Sequence, residues 1–277
     1  MTRFVVLFLI SCVCCVSHAQ TVMLWNVENL FDCRHDSLKQ DYDFLPEGSY
    51  HWTPGRYWQK VRDVSRVILD AGGERPLDIV GLCEVENDSV MRDLTQRSPL
   101  RSIGYRYVMT DSPDRRGVDV ALLYNPQRFV LLGHQSLRLP SQQHGLPPTR
   151  DLLHCWGRMA EGTDTLHLVV CHLPSKTGGR AGARNRALAA DVLAALADSI
   201  AAVGQPLLVM GDFNAAPGDP VFRKLSGLQD LVPQDRRPRE GTYRYQGRWQ
   251  WIDHFLVSAE CRVQSSELGV RLYTAPW

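Results

Sequence analysis

Short apolar runs that end abruptly in a polar residue recur along this chain, interrupted by two longer stretches with helical spacing. Val22 to Val27, Asp78 to Val85, Pro206 to Gly211 and Trp251 to Ser258 read as strands. Thr53-Pro54 has the form of an N-cap with proline at the first helical position; Tyr57, Val61, Val64 and Ile68 follow on one face, and Gly72-Gly73 ends the helix. Asn87 to Arg97 predicts a short helix. The pattern then changes to successive strands separated by turn residues: Tyr105–Thr110, Val118–Tyr124, Phe129–Leu137, Asp151–Met159 and Thr165–His172, as in a meander of hairpins. A long helix follows, with Leu188, Val192, Leu196 and Ile200 on its apolar stripe and Gly204 as its cap. Helices flanking two mixed sheets make a layered α/β sandwich in one domain.

Composition changes this picture little. At 277 residues, 44% hydrophobic and 22% charged, the chain can bury a large core without disulfide staples. A net charge of +1 sets up no global field for a polyanion, though it leaves room for a local basic groove.

The N-terminus carries an address signal. Arg3 precedes the apolar run Phe4 to Ile10, and Ser17-His18-Ala19 offers small residues where a signal peptidase reads, so residues 1–19 are expected to be a signal peptide and Gln20 the mature start. The competing reading of the apolar run is a buried first strand. Leu9-Ile10-Ser11-Cys12 also resembles a lipoprotein box with Cys12 as the lipidated residue. An exported, periplasmic or secreted protein is therefore expected, a monomer with no transmembrane segment in the mature chain. Cys33, Cys83, Cys155, Cys171 and Cys261 remain after the leader; their spacing matches no zinc pattern, and three of them lie inside strand-like runs as small core residues.

The candidate chemistry sits at four strand ends, where a strand fixes a side chain and the following loop admits substrate. Asn26 interrupts the first strand. Glu84 follows a buried strand, where an unpaired carboxylate is costly; a hard divalent cation or an arginine would satisfy it. His172 ends another strand, suited to proton transfer or to a phosphate oxygen, or to a purely structural bond. Asp212 and Asn214, two apart after an apolar strand, share a face and suit a nucleophilic water and a phosphoryl group.

Five segments in this order, Trp-Asn-Val-Glu-Asn at 25–29, Gly-Leu-Cys-Glu-Val at 81–85, His-Leu-Pro-Ser at 172–175, Gly-Asp-Phe-Asn at 211–214 and Trp-Ile-Asp-His-Phe-Leu-Val-Ser at 251–258, resemble the endonuclease/exonuclease/phosphatase superfamily. The resemblance spans 21–258. It implies a four-layer α/β/β/α sandwich of two mixed sheets flanked by helices. It also implies Mg²⁺ or Mn²⁺ at Glu84 with Asn26 beside it, Asp212 on the attacking water, Asn214 on the scissile phosphate and catalytic His172. The substrate would be a phosphoester, nucleic acid foremost; a phosphomonoester, a phospholipid or an inositol phosphate is the alternative. Arg150 and Lys176 are candidate substrate contacts, and Lys176, Arg180, Arg184 and Arg186 a candidate basic rim. Arg116-Gly117-Val118-Asp119-Val120 resembles a further family stretch, in which Asp119 could equally bond a loop.

The family pattern closes with a second Asp-His pair whose histidine contacts the phosphate. This sequence has one such pair, Asp253-His254, and its flanks match the earlier motif, in which the aspartate supports that later histidine. Adjacent strand residues point to opposite faces, so Asp253 is expected in the site and His254 outside it. The residues after Ser258 contain no histidine. The expectation is a chain truncated at its C-terminus, with an unpaired sheet edge and impaired turnover; a non-catalytic member that binds metal and phosphate is the reading from a different class.

Overall fold

The computed structural model describes residues 5–11, 20–232, 240–263 and 267–274. Strand β1 (Val5–Ser11) runs antiparallel to β2 (Gln20–Leu30). Helix α1 (Pro54–Gly72) crosses over to β3 (Ile79–Val85), which lies parallel to β2. After α2 (Asp88–Arg92), strands β4 (Arg106–Met109) and β5 (Asp119–Tyr124) pair with each other, and β5 joins β3. The chain then enters a second sheet through β6 (Phe129–Leu137), β7 (Leu152–Met159) and β8 (Leu166–His172), all antiparallel. Helix α3 (Gly179–Ala201) leads to β9 (Leu207–Asp212), parallel to β8. There follow α4 (Pro220–Lys224), β10 (Gln229–Asp230), the hairpin β11 (Tyr243–Tyr245) and β12 (Arg248–Gln250), β13 (Asp253–Val257) against β9, and α5 (Ala259–Val263). Strand β14 (Glu267–Tyr273) returns to the first sheet beside β1.

The two six-stranded sheets have the orders β14-β1-β2-β3-β5-β4 and β10-β13-β9-β8-β7-β6. Leu24, Cys83 and Leu122 of one meet Leu168, Met210 and Phe255 of the other in the central core. A second core lies under α1, where Val61, Val64 and Ile68 cover Val80 and Leu82; a third lies under α3. These layers are the expected α/β/β/α sandwich.

The helix over 54–72 starts and stops as expected: Thr53 Oγ1 accepts from Arg56 N, and Gly73 adopts φ 64° beyond the last turn. Two expectations need correction. The five strands expected as one meander are divided between the sheets, two in the first and three in the second. On α3 the buried stripe runs through Asn185, Ala189, Ala190, Leu193 and the expected Ile200, while Val192 and Leu196 pack against the same core half-buried and Leu188 is half-buried beside them. Ala189 and Ala190 let the middle of the helix lie close on the sheet, which leaves Leu188 and Val192 at its margins.

Val5–Ser11, within the expected leader, pairs with both β2 and β14. Cys12 and the expected cleavage junction lie outside the described residues. No described helix is long and apolar enough to cross a membrane.

Candidate active site

Two irregularities in the first sheet aim the polar groups inward. Cys83 and Val85 stand two apart on β3 yet bury in different cores, Cys83 between the sheets and Val85 under α1, which regular alternation forbids. The break is at Glu84, which takes the left-handed φ of 64° where the β3–β5 register shifts. Such a bulge re-aims a side chain, and here it puts the carboxylate on the site side while Val85 returns to the outer core. On β2 the register breaks after Asn26, and Glu28 and Asn29 both have positive φ. Asn26 Oδ1 accepts from Glu28 N at 3.0 Å and closes this turn.

The second sheet supplies the opposing groups in register. His172 of β8, Asp212 of β9 and Asp253 of β13 stand side by side on neighbouring strands. Gly211 allows this closeness, since a Cβ there would lie 2.0 Å from Cys171 O. Asn26 Nδ2 reaches across the sandwich, donating to Asp212 Oδ2 at 2.9 Å and to Glu84 Oε1 at 3.3 Å. His172 Nε2 lies 3.8 Å from each of the same two carboxylates. Asn214, at φ 49°, donates through Nδ2 to Leu173 O, and its own N–H is held by Asp212 Oδ1. Five of the expected site residues thus converge, and the Asn26–Asp212 bond alone joins positions 186 apart.

A cavity of about 760 Å³ opens over this floor. Glu84, His172, Asp212 and Asn214 line it, with Arg116 and Lys176 at the rim. Asp253 is buried beside Asp212 and is not among the lining residues. Beneath the floor, burial above all, and then the charges of Asp212 and Asp253, push the Cys83 and Cys171 thiols up. They stay protonated and are not nucleophiles.

The arginines depart from expectation. Arg150 lines the cavity, but it is buried and its guanidinium donates to His172 O, Leu173 O and Asp114. It anchors the end of β8 rather than presenting its fork to a phosphate. Of the four basic rim candidates, exposed Lys176 lines the cavity, whereas Arg186 is buried on Pro174 O and Arg180 and Arg184 are not among the lining residues. Arg116 contributes most among the cations: its Nη2 lies 3.1 Å from Glu84 Oε2 and also reaches Asn29. The arginine partner considered for Glu84 is therefore real.

Asp119 bonds a loop, accepting from Thr110 Oγ1 and from Ser112 N; burial pushes its carboxyl up to about 6 against those bonds. His254 points away from the site, as strand alternation requires. It is fully buried between Asp230 and Ala215 O, bracing the loop after Asn214.

A divalent oxygen-seeking cation fits this donor set. Mg²⁺ takes one or two carboxylates and completes its shell with water and phosphate oxygens, and Glu84 and Asp212 supply carboxylates around one amide. Among the described residues no cluster of three or more His, Cys, Asp or Glu could hold an ion, so water and substrate oxygens would have to complete its shell. As placed, Asn26 turns its amide nitrogen to the carboxylates; it would join the shell only by turning its oxygen inward.

The pattern missed at the sequence level is the β11–β12 hairpin, whose Tyr243, Tyr245 and Gln250 form the outer wall of the cavity. Its signal was legible: Tyr-Arg-Tyr and Arg-Trp-Gln alternate on either side of Gln246-Gly247.

A model of the Endonuclease/Exonuclease/phosphatase family matches residues 21–274. The chain belongs to this family. Members of the Endonuclease/Exonuclease/phosphatase family are phosphoesterases, and several solved structures share the fold with this chain. The human Nocturnin catalytic domain with bound sulfate superposes with a TM-score of 0.58 at 22% identity, covering 86% of this chain and 82% of that one. A mannosyl-6-phosphatase from Bacteroides thetaiotaomicron gives 0.57 at 16% identity, covering 87% and 85%. An endonuclease/exonuclease/phosphatase family protein from the same organism gives 0.56 at 16%, covering 86% and 81%. No curated protein matches the sequence.

Proposed function

We propose that this chain is a divalent-cation-dependent hydrolase of phosphoester bonds, acting foremost as an exported nuclease or phosphodiesterase. The observation that carries this reading is the convergence of Glu84, Asp212, His172 and Asn26 from both sheets beneath one open cavity. A cation bound at Glu84 would supply charge neutralisation for the phosphoryl oxygens. Asp212 orients the attacking water and takes its proton on a carboxylate oxygen. Asn26 holds Asp212 and Glu84 at fixed separation, so the base is aimed before substrate arrives. His172, buried between the two carboxylates, is placed to donate to a phosphoryl oxygen or to the leaving group. Asn214 contacts the phosphoryl group from the cavity side, and Lys176 adds positive charge at the rim. Asp253 acts from beside Asp212, as an orienting group.

Glu84→Gln and Asp212→Asn should each abolish Mg²⁺-dependent hydrolysis of a diester reporter. Turnover left intact in either variant overturns the assignment. Two further readings belong to the same proposal: residues 1–19 direct export, and the chain acts as a monomer. A phosphomonoester substrate is the second reading, favoured by fold likeness to the mannosyl-6-phosphatase. Parallel assays on plasmid DNA, RNA, sphingomyelin, inositol phosphates and sugar phosphates separate the two.

A further inference from the structure

The wall facing the catalytic floor is built on the β11–β12 hairpin rather than on either main sheet. Its turn is tight: Gln246 and Gly247 take φ 47° and 78°, the two-residue left-handed turn that matches strand twist. Its base is fixed to β13 through Thr242, fully buried, whose Oγ1 accepts from both Ile252 N and Asp253 N at 3.2 Å. The hairpin is therefore tied to the strand that carries Asp253.

Register sorts its side chains. Tyr243 pairs with Gln250, Arg244 with Trp249 and Tyr245 with Arg248, so alternation sends Tyr243, Tyr245, Arg248 and Gln250 to one face and Arg244 and Trp249 to the other. On the back, the Arg244 guanidinium carbon lies 5.4 Å from the Trp249 ring centroid and stiffens the hairpin. On the front, which also carries Arg248 opposite Tyr245, the two tyrosine rings are within 14° of parallel with centroids 6.3 Å apart, and Tyr243, Tyr245 and Gln250 line the cavity. Tyr245 remains 47% exposed, an uncovered aromatic face at the mouth of a polar site. Hydrolysis of a bare phosphate group has no use for such a face.

We infer that Tyr243 and Tyr245 form a stacking platform for the base of a nucleoside phosphate ester, with the Gln250 amide meeting the base edge. The inference rests on the phosphoester reading of the floor. Bases stack on aromatic side chains regardless of sequence because each presents a π face, and an amide supplies both a donor and an acceptor for their edges. A sugar alone is gripped mainly through its hydroxyls and would draw on the Gln250 amide and the two tyrosine hydroxyls, whereas a base draws on the ring faces.

The test is calorimetric titration of the full chain in Mg²⁺ with inorganic phosphate, ribose 5-phosphate, glucose 6-phosphate and adenosine 5′-monophosphate. The nucleotide should bind about 10-fold more tightly than ribose 5-phosphate. Tyr245→Ala should erase that gap and leave phosphate affinity unchanged, and Tyr245→Phe should keep it, because the ring and not the hydroxyl does the stacking. Circular dichroism confirms that the variants fold. Equal affinity for nucleotide and ribose 5-phosphate, tighter binding of glucose 6-phosphate, or a nucleotide affinity indifferent to Tyr245→Ala overturns the platform while phosphate binding leaves the floor standing. Failure of phosphate itself to bind overturns both.

Discussion

Thr242→Val offers a direct measure of how firmly the cavity wall is tied to β13, the strand that carries Asp253. The substitution keeps the side-chain shape and removes the one oxygen that accepts from Ile252 N and Asp253 N. Both residues are only 4% exposed, so water cannot easily take over. A buried N–H left without an acceptor costs about 1–3 kcal/mol. Two of them sharing some relaxation give an expected loss of about 2–4 kcal/mol, a large fraction of the roughly 5–15 kcal/mol that holds a domain folded. Urea unfolding reads this as a lower midpoint with an unchanged slope. The amides of Ile252 and Asp253 should also lose hydrogen-exchange protection, and turnover should fall because Asp253 lies beside Asp212. Thr242→Ser, which keeps the oxygen, should lose no more than about 1 kcal/mol. A valine variant within about 0.5 kcal/mol of the parent would refute the tether.

Two other outcomes follow from the fold and the leader. Burial, and then His167, push His154 down to about 4, and a chain of neutral partners explains its tolerance: Gln135 Nε2 donates to its Nδ1, its Nε2–H meets His167 Nδ1, and His167 meets Gln205 Oε1. Because the folded value lies below the unfolded one, near 6.5, the unfolded chain binds more protons between them. The contribution is complete above about pH 6.5 and is lost as pH falls towards about 4. At about 1.4 kcal/mol per tenfold in proton affinity the ceiling is about 3 kcal/mol, and partial solvent screening leaves about 1–2. His154→Gln should flatten that part of the stability profile; an unchanged slope assigns it elsewhere. For the leader, intact-mass measurement of exported protein should give a chain beginning at Gln20, and a mass that retains residues 1–19 rejects cleavage there.

Much of this protein is legible one segment at a time. Thr53-Pro54 and Gly73 mark the ends of α1, the apolar runs mark the strands, and the polar residues that close them are the candidate site, because caps, periodicity and strand ends are short-range properties of a chain. Ordered recurrence of five such ends was enough for the family. What stayed hidden was non-local. Which strands join which sheet depends on pairings across the whole domain, so a uniform series of strands from Tyr105 to His172 concealed a change of sheet. The buried face of α3 depends on which residues let helix and sheet approach, and alanines outrank leucines there. Arg150 and Arg116 look alike as sequence, yet buried acceptors at the end of β8 claim one while the other is left beside Glu84. The sequence by itself determined which chemical groups are available and that Glu84, His172 and Asp212 close apolar strands. Only the tertiary structure decided that a bulge turns Glu84 inward, that Asn26 spans the two sheets to Asp212, and that a tyrosine hairpin closes the cavity. Those outcomes are set by contacts between distant segments, whose free energy no local window of residues contains.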